Sequence, residues 1–448
     1  MSLQLKIKKG LDLNIAGKVE SEEIEKLIIP EEIAICPDDY PGFTPKLSCK
    51  EGDSIRKGEP IFHDKFHEDV NLVCPVTGVI KQVVRGERRK IMRVVIAPDP
   101  DEYDNGYIQD IDPTDEESTI LRLARSGMWV LLRQLPYGIM PDPEVRPRDI
   151  FVSGFDSNPL APSFDFILSD KIDFLKAGID ILTRLTDGNV YLTRHHGSKM
   201  PDIPGAVMID IEGPHPAGNI GTAIANIAPV NKGEVVWTVD APSVTRIGQM
   251  MINGDITSTT IVAVTGSEVK TPEYVRTLVG APMKALLKDN IKDDGRHKRY
   301  ISGNPLCGIN VGEDGFLRRP YYQITVIPEG DDVDEFMGWA SLSPSKMSVS
   351  RSFPGHFLRK LFSPDARIKG GRRAMIMSGE YDAVMPMDIL PEYLIKAILS
   401  KDIDNMEKLG IYEVVPEDFA LAEYVDTSKL ELQKIVAEGL EYMRKETE

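Results

Sequence analysis

Three stretches of this chain bring together residue types that could do chemistry. The first, Glu212-Gly213-Pro214-His215-Pro216-Ala217-Gly218, follows the apolar run Ala206 to Ile211. Gly213, Pro214 and Pro216 can extend neither a helix nor a central strand, so they shape a loop with the imidazole of His215 at its tip. Gly218 and Gly221 then permit close backbone approach. Open α/β sheets place ligands at such loops, beyond the carboxyl end of a strand. Gly213, His215 and Gly218 therefore form one candidate site, with an ordinary Pro/Gly connection as the alternative. The second stretch, Ser126 to Pro141, surrounds Arg133 with Trp129, Tyr137 and aliphatic residues. That mixture suits an apolar cleft with a single orienting donor; an aromatic core segment with a snorkelling arginine accounts for it equally well. The third, Cys36-Pro37-Asp38-Asp39-Tyr40-Pro41-Gly42-Phe43, also joins aromatics and prolines to polar groups. None of the three defines a catalytic residue.

Metal chemistry finds little support. Adjacent His195 and His196 point to opposite faces of a strand, with no carboxylate partner nearby in sequence. Cys36, Cys49, Cys74 and Cys307 form no Cys-x-x-Cys pair. That argues against an iron–sulfur cluster or structural zinc, and for free thiols in a reducing compartment. Lys+Arg 53 against Asp+Glu 70 gives a net charge of −17, so the basic face a nucleic-acid partner needs is missing. No run approaches the ~18 apolar residues of a spanning helix. Met1 to Gly10 lacks the apolar core of a secretory signal. The expectation is a soluble, cytoplasmic chain that docks on a membrane protein, if at all, through a local patch.

The elements that must position these residues can be taken in order. At 448 residues the chain is too long for one core. Between Ile33 and Ile96, short apolar strands are punctuated by Gly, Asp and Pro. Gly52-Asp53 to Gly58 and Pro75-Val76-Thr77-Gly78-Val79-Ile80 resemble a biotinyl/lipoyl-type barrel-sandwich. Lys65 lies near the hairpin tip where carriers hold a modified lysine, but its neighbours are not the Met-Lys-Met of biotin carriers, so no covalent biotin or lipoate is expected. The basic cluster Arg85 to Lys90 reads as a solvated turn. Asp99 to Asp115 is an acidic linker, and Glu116 to Arg125 has helical spacing. Strand patterns at Ile150 to Val152, Val190 to Leu192 and Val207 to Ile211 alternate with a helix pattern over Phe174 to Leu185. This implies a parallel sheet covered by helices. No Gly-x-Gly-x-x-Gly follows these strands. Ile261 to Gly266, Val269 to Tyr274 and a helix through Lys284 to Leu287 look like a β-grasp unit, extended by β structure at Tyr300 to Gly308 and Tyr322 to Pro328. Apolar stripes predict helices over Met387 to Leu399 and Leu430 to Met443. The fold class is α/β multidomain. An N-terminal segment and biotinyl/lipoyl-like domain cover 1–98, and a Rossmann-like α/β domain covers 99–257. A ubiquitin-like β-grasp (soluble-ligand-binding) domain covers 258–330, and a connecting segment with a C-terminal helical domain covers 331–448.

A series of short motifs accompanies this order: Ile7-Lys8-Lys9-Gly10-Leu11-Asp12-Leu13, Ser126-Gly127-Met128-Trp129, Asp156-Ser157-Asn158-Pro159-Leu160-Ala161 and Gly213 to Gly218. Gly338-Trp339-Ala340, Ser350-Arg351-Ser352-Phe353-Pro354-Gly355-His356 and Val384-Met385-Pro386-Met387-Asp388 continue it. The module order resembles the NADH-binding subunit of respiratory complex I. The motifs resemble, over essentially the whole chain, the NqrA family of sodium-translocating NADH:quinone oxidoreductase (Na⁺-NQR) subunits. The resemblance implies a peripheral subunit on the cytoplasmic side of the bacterial inner membrane, in a complex that passes electrons from NADH to quinone and exports Na⁺. Its partners are then the other subunits, one of them membrane-embedded, and a quinone (ubiquinone or menaquinone); NADH is used by the complex, not by this subunit. Flavin-binding relatives carry a Gly-rich loop where this chain has Gly127-Met128-Trp129-Val130-Leu131-Leu132-Arg133. Bulky side chains there disfavour the backbone cradle an FMN phosphate needs, so no FMN is expected, while a quinone ring suits the altered pocket. Pro37, Tyr40, Gly42 and Phe43 on one side, and Trp129, Arg133 and Tyr137 on the other, are the candidate quinone site. Trp129 or Tyr137 would stack on the ring and Arg133 would donate to a carbonyl. One departure is Ala422-Glu423-Tyr424-Val425-Asp426-Thr427, where family members carry Cys-x-x-x-Cys-Pro. The rivals are a non-redox scaffold that docks on membrane partners and a diverged NADH-oxidising flavoprotein.

Overall fold

The computed structural model describes residues 2–106, 115–331, 347, 349 and 361–447. The motifs Gly338-Trp339-Ala340 and Ser350 to His356, and part of the acidic linker, lie outside the described residues. The chain begins by lending strands to units that it builds later. β1 (Leu3–Lys6) lies parallel to the Ala206–Glu212 strand, Leu5 beside Ile211. β2 (Ile24–Ile28) lies parallel to the Glu273–Leu278 strand.

The first compact unit follows. β3 (Ile33–Ile35), β4 (Pro45–Leu47), β5 (Ser54–Ile55), β6 (Pro60–Asp64), β7 (Asn71–Val73), β8 (Gly78–Arg85) and β9 (Ile91–Pro98) form two antiparallel sheets, ordered β3-β9-β8-β5 and β4-β6-β7. Ile33, Ile61, Phe62, Val76, Ile80 and Ile96 fill the space they enclose. This is the expected barrel-sandwich, with Lys65 exposed at the β6–β7 turn, its ammonium over the Phe66 ring. Lys57 is 1% exposed and pairs with Asp104 at 3.0 Å and Asp255 at 2.5 Å. A buried charge stripped of such partners is strongly destabilising, so this triad fixes the unit against the next one.

The second unit is an α/β layer. α1 (Glu116–Arg125) starts with a capping box between Asp115 and Ser118. Then come β10 (Arg133–Leu135), β11 (Ile150–Ser153), α2 (Phe164–Ile167), α3 (Ile172–Thr183), β12 (Val190–His195), β13 (Ala206–Glu212), α4 (Ile220–Ile227), β14 (Val236–Asp240) and α5 (Ala241–Asn253). The sheet order is β1-β13-β12-β11-β14-β10, parallel except for β10. Phe151, Val152, Leu192, Ile209 and Val236 are fully buried, as strands covered on both faces require. The connection order reverses between β11 and β14, which makes their carboxyl ends a topological switch point.

The third unit holds β15 (Thr259–Thr265), β16 (Glu273–Leu278), α6 (Met283–Leu286), β17 (Lys298–Ser302), β18 (Ile309–Asn310) and β19 (Gln323–Pro328). With β2 they make a mixed sheet, β18-β17-β19-β15-β16-β2, against which Met283 and Leu286 pack. The segment Val269 to Tyr274 is not the second strand. It contains Pro272, which has no ladder N–H, and pairing with β15 starts at Glu273.

Among the described residues from 361 on, five α-helices follow: α7 (Glu380–Val384), α8 (Pro391–Ser400), α9 (Ile403–Lys408), α10 (Ala420–Val425) and α11 (Leu432–Thr447). Leu394, Ile395, Met406, Phe419, Val436 and Met443 form their common core. The helix expected from Met387 starts instead at Pro391, whose fixed φ and missing N–H suit a first turn. Leu390 and Tyr393, read as part of its apolar stripe, are each 53% exposed. Among the described residues no helix is long and apolar enough to cross a membrane.

Candidate functional site

The switch point opens on a cavity of about 390 Å³. Ser153 and Asp240 end the two strands that flank it, and Arg133 and Leu135 of β10 form one side. Phe155, Asp156 and Asn158 come from the loop after β11, and Asn219, Ile220 and Gly221 from the start of α4. The third unit adds Asn304, Cys307, Tyr321 and Tyr322; the segment before α10 adds Pro416, Glu417 and Asp418. Every compact unit except the barrel-sandwich thus contributes to one chamber.

A second cavity, about 290 Å³, adjoins it and shares Arg133, Gly138, Val415, Pro416 and Glu417. Its further walls are Pro41, Tyr137 and Ile139 on one side and Ala437, Leu440 and Arg444 of α11 on the other. Arg133 stands between the two, half-buried, with Nη1 donating to Glu417 Oε1 at 3.0 Å.

Carboxyl groups dominate the larger chamber. Asp240 Oδ1 accepts the Ser243 N–H at 2.7 Å and the Tyr322 hydroxyl at 2.7 Å. Burial pushes the Tyr322 hydroxyl pKa well up, so it remains a donor. Asp156 Oδ1 accepts from the backbone and side-chain nitrogens of Asn158 at 2.8 and 2.7 Å, and burial raises its pKa. Asp418 is 4% exposed and takes the Val415 N–H at 3.0 Å. Burial, then the charge of Glu417, pushes its pKa to about 7. Burial, then the charge of the same Glu417, also holds the Cys307 thiol well above its usual range.

The residues singled out in the sequence separate cleanly. Arg133 lines both cavities, Tyr137 the smaller and Gly218 the larger. The Pro37–Phe43 run contacts the chain just beyond Tyr137, through Pro41, whose carbonyl accepts the Met140 N–H at 2.7 Å, and through Gly42, which abuts Ile139; Pro41 also lines the smaller cavity with Arg133 and Tyr137. Pro37, Tyr40 and Phe43 are buried and line neither cavity. Trp129 is 0% exposed; its Nε1 donates to the Pro141 carbonyl at 2.9 Å and its ring meets Trp237 edge-on at 5.2 Å. It belongs to the core, which corrects the stacking role considered for it.

His215 needs the same correction. Instead of standing exposed at a loop tip it is 1% exposed, and burial lowers its pKa to about 4. Its Nδ1 lies 3.0 Å from Ser157 Oγ, and its backbone N–H donates to Asp12 Oδ1 at 2.9 Å. The N-terminal segment crosses over the loop, with the Leu11 N–H on the His215 carbonyl at 2.8 Å. Gly213 is required because a side chain there would strike the Ile7 backbone. The loop clamps the segment that follows β1, Ile7 to Asp12; its glycine Gly218 alone reaches the chamber.

Glu417, Asp418, Asp240, Tyr322 and Cys307 were not singled out as site residues. Asp240-Ala241-Pro242 carries a legible helix-start signal, but nothing local reveals that four distant segments converge. Among the described residues, no group of three or more His, Cys, Asp or Glu is placed to hold a metal ion.

Three family domains match the chain in order: an "NqrA N-terminal barrel-sandwich hybrid domain" over residues 5–99, an "NqrA second alpha/beta domain" over 114–256, and an "NQRA C-terminal domain" over 261–312. The chain is similar to the NqrA subunit of the Na(+)-translocating NADH-quinone reductase of Neisseria meningitidis serogroup B, at 35% identity covering 99% of this chain and 100% of that one. The corresponding proteins from Serratia proteamaculans (35%, covering 99% and 100%) and Pasteurella multocida (33%, covering 98% and 99%) are similar throughout. Among solved structures, an NAD+-reducing [NiFe]-hydrogenase in the H2-reduced state is similar at 10% identity and a TM-score of 0.38, covering 74% of this chain and 62% of that one.

Proposed function

The chain belongs to the NqrA family of Na⁺-translocating NADH-quinone reductase subunits, and from that membership we propose that the two cavities meeting at Arg133 hold the quinone. The chain is a subunit of an oxidoreductase complex. A quinone consists of a flat ring with two carbonyl oxygens and an apolar tail. The observation that carries the reading is the sharing of Arg133 by a larger chamber and a narrower, partly apolar one. The ring lies in the larger chamber, near Phe155 and Tyr321, with one carbonyl oxygen taking a charge-assisted hydrogen bond from Arg133. The tail runs past Pro41, Ile139 and Leu440.

The finer features of the reading follow from the same placement. The second unit is Rossmann-like, supported by its reversal between β11 and β14; the third is a β-grasp unit, and the last helices form a helical domain. The reading gives FMN no place in this chain, and the burial of Trp129 and Leu132 in the core at the flavin-loop position supports it. Neither an iron–sulfur cluster nor biotin or lipoate is carried, and NADH is oxidised elsewhere in the complex. The protein lies on the cytoplasmic side of the inner membrane and docks on a membrane-embedded partner.

Arg133→Ala tests the site in the purified full chain. Loss of a hydrogen bond from a charged donor weakens short-chain quinone binding by about 1.5–3 kcal/mol, with a small change in Tm. Unchanged affinity in a folded variant removes Arg133 from the site, leaving a scaffold role.

A further inference from the structure

We infer that Asp418 and Asp240 exclude phosphate-bearing ligands from the larger cavity, by setting this chain's own carboxyl groups where a ligand's phosphate would sit. The inference rests on the larger cavity being the ligand site proposed above, and it explains which flat-ringed molecules that site refuses.

In open α/β folds a ligand's phosphate settles on the backbone N–H groups at a helix start near the switch point. Among the described residues, four α-helices bring an N-cap or first-turn residue to this cavity. The single turn α2 is capped by Ser163, whose Oγ accepts the Phe166 N–H at 3.2 Å, and at α11 Glu423 Oε2 accepts the Gln433 N–H at 2.9 Å. The other two, α5 and α4, start at the switch point itself. At α5, Asp240 is the N-cap, with Oδ1 on the Ser243 N–H at 2.7 Å and Oδ2 taking the Ser243 hydroxyl at 3.0 Å. At α4 the N-cap residue, Asn219, makes no capping hydrogen bond through its side chain. The carboxyl of Asp418, from a distant part of the chain, lies against the first turn instead. A Cβ added to Gly221 would fall 2.6 and 2.7 Å from its two oxygens, so glycine is what admits it. The Val415 N–H holds that carboxyl at 3.0 Å, and Asn219, the residue before α4, donates to the Glu417 carbonyl at 3.3 Å. The α5 start is thus capped by Asp240, and the approach to the α4 start is filled by the Asp418 carboxyl.

The rest of the lining works in the same sense. Asp156 and Glu417 join Asp240 and Asp418, while Arg133 is the one Lys or Arg on the described wall, and it faces Glu417. A phosphomonoester, with a charge of about −1.5 to −2, meets acidic walls and, at α4 and α5, a carboxyl group where its phosphate would sit. An uncharged ring with carbonyl oxygens meets neither obstacle. The cavity thus separates quinones from flavin and nicotinamide nucleotides by the phosphate rather than by the ring.

The test titrates the full chain with inorganic phosphate at constant ionic strength and pH 8, followed by calorimetry, and with a short-chain quinone in parallel. Wild type is expected to show no saturable phosphate binding. Asp418→Ala, which vacates the α4 start, is expected to gain saturable phosphate binding, at least about ten-fold tighter than the limit set by the wild-type titration, of the order a helix terminus and new charge-assisted bonds supply. Asp418→Asn keeps the bulk, loses the charge, and gains less. Saturable phosphate binding by wild type, or no gain in a folded Asp418→Ala, overturns the inference. If Asp418→Ala does not fold, Asp418→Asn decides: a gain supports the inference and none overturns it. Failure of quinone to bind wild type while the variant gains phosphate refutes the quinone reading and leaves the exclusion standing.

Discussion

The guanidinium of Arg133 and the carboxylate of Glu417 meet at 3.0 Å although 284 residues separate them. Their contact joins the edge strand of the α/β sheet to the last helical unit, at the point where two cavities adjoin. A carbonyl ligand that uses Arg133 must share it with Glu417. Glu417→Gln is therefore expected to tighten short-chain quinone binding while changing stability by no more than about 1 kcal/mol, the ceiling for a partly exposed pair. Parallel quinone titration and thermal melting check both halves.

Trp129 behaves as core. Trp129→Ala is expected to cost about 3–5 kcal/mol in denaturant unfolding, because it leaves a cavity beside Trp237 and orphans the Pro141 carbonyl. A variant that keeps its stability and loses quinone would restore the stacking role.

His215 makes stability depend on acid. Its folded pKa of about 4 lies below the ordinary 6.5, so the unfolded chain binds this proton first. The stability it contributes is complete above pH 6.5 and is lost as pH falls towards 4, by up to roughly 3 kcal/mol. His215→Gln should flatten that part of the curve, read as unfolding free energy in urea between pH 7.5 and 4.5.

Asp418 has the opposite sign over nearly the same range. Its folded pKa of about 7 stands above the ordinary 3.8. The unfolded chain therefore releases this proton first, and wild type loses stability as pH rises from about 4 to 7. Asp418→Asn carries no such penalty, so its stability relative to wild type should improve from pH 5 to pH 8; a constant difference would show that Asp418 ionises normally.

What could be read in the sequence was whatever a local pattern controls. The Gly/Pro punctuation between Ile33 and Ile96 gave the barrel-sandwich, and apolar strands alternating with helix patterns gave the parallel sheet. Arg133 and Tyr137 were legible as cavity residues because an arginine among aromatics is conspicuous. His215 misled for a related reason. A histidine between two prolines signals an exposed turn unless something covers it, and the cover, Ile7 to Asp12, lies some two hundred residues earlier. Likewise β1 and β2 join sheets whose other strands come much later, and periodicity within a strand does not name its neighbour. Glu417 and Asp418 follow a proline, as helix starts often do; only the folded chain brings Asp418 over Gly221.

The central claim is that quinone sits in the paired cavities at Arg133. Photo-crosslinking of the intact complex with a quinone carrying a photoreactive group on its ring, followed by peptide mapping, tests it most directly. The account predicts label within Arg133 to Ile139, Asn304 to Tyr322 or Val415 to Asp418, competed by unmodified quinone and reduced in Arg133→Ala. Competable label confined to other subunits, with none in these segments, would contradict it.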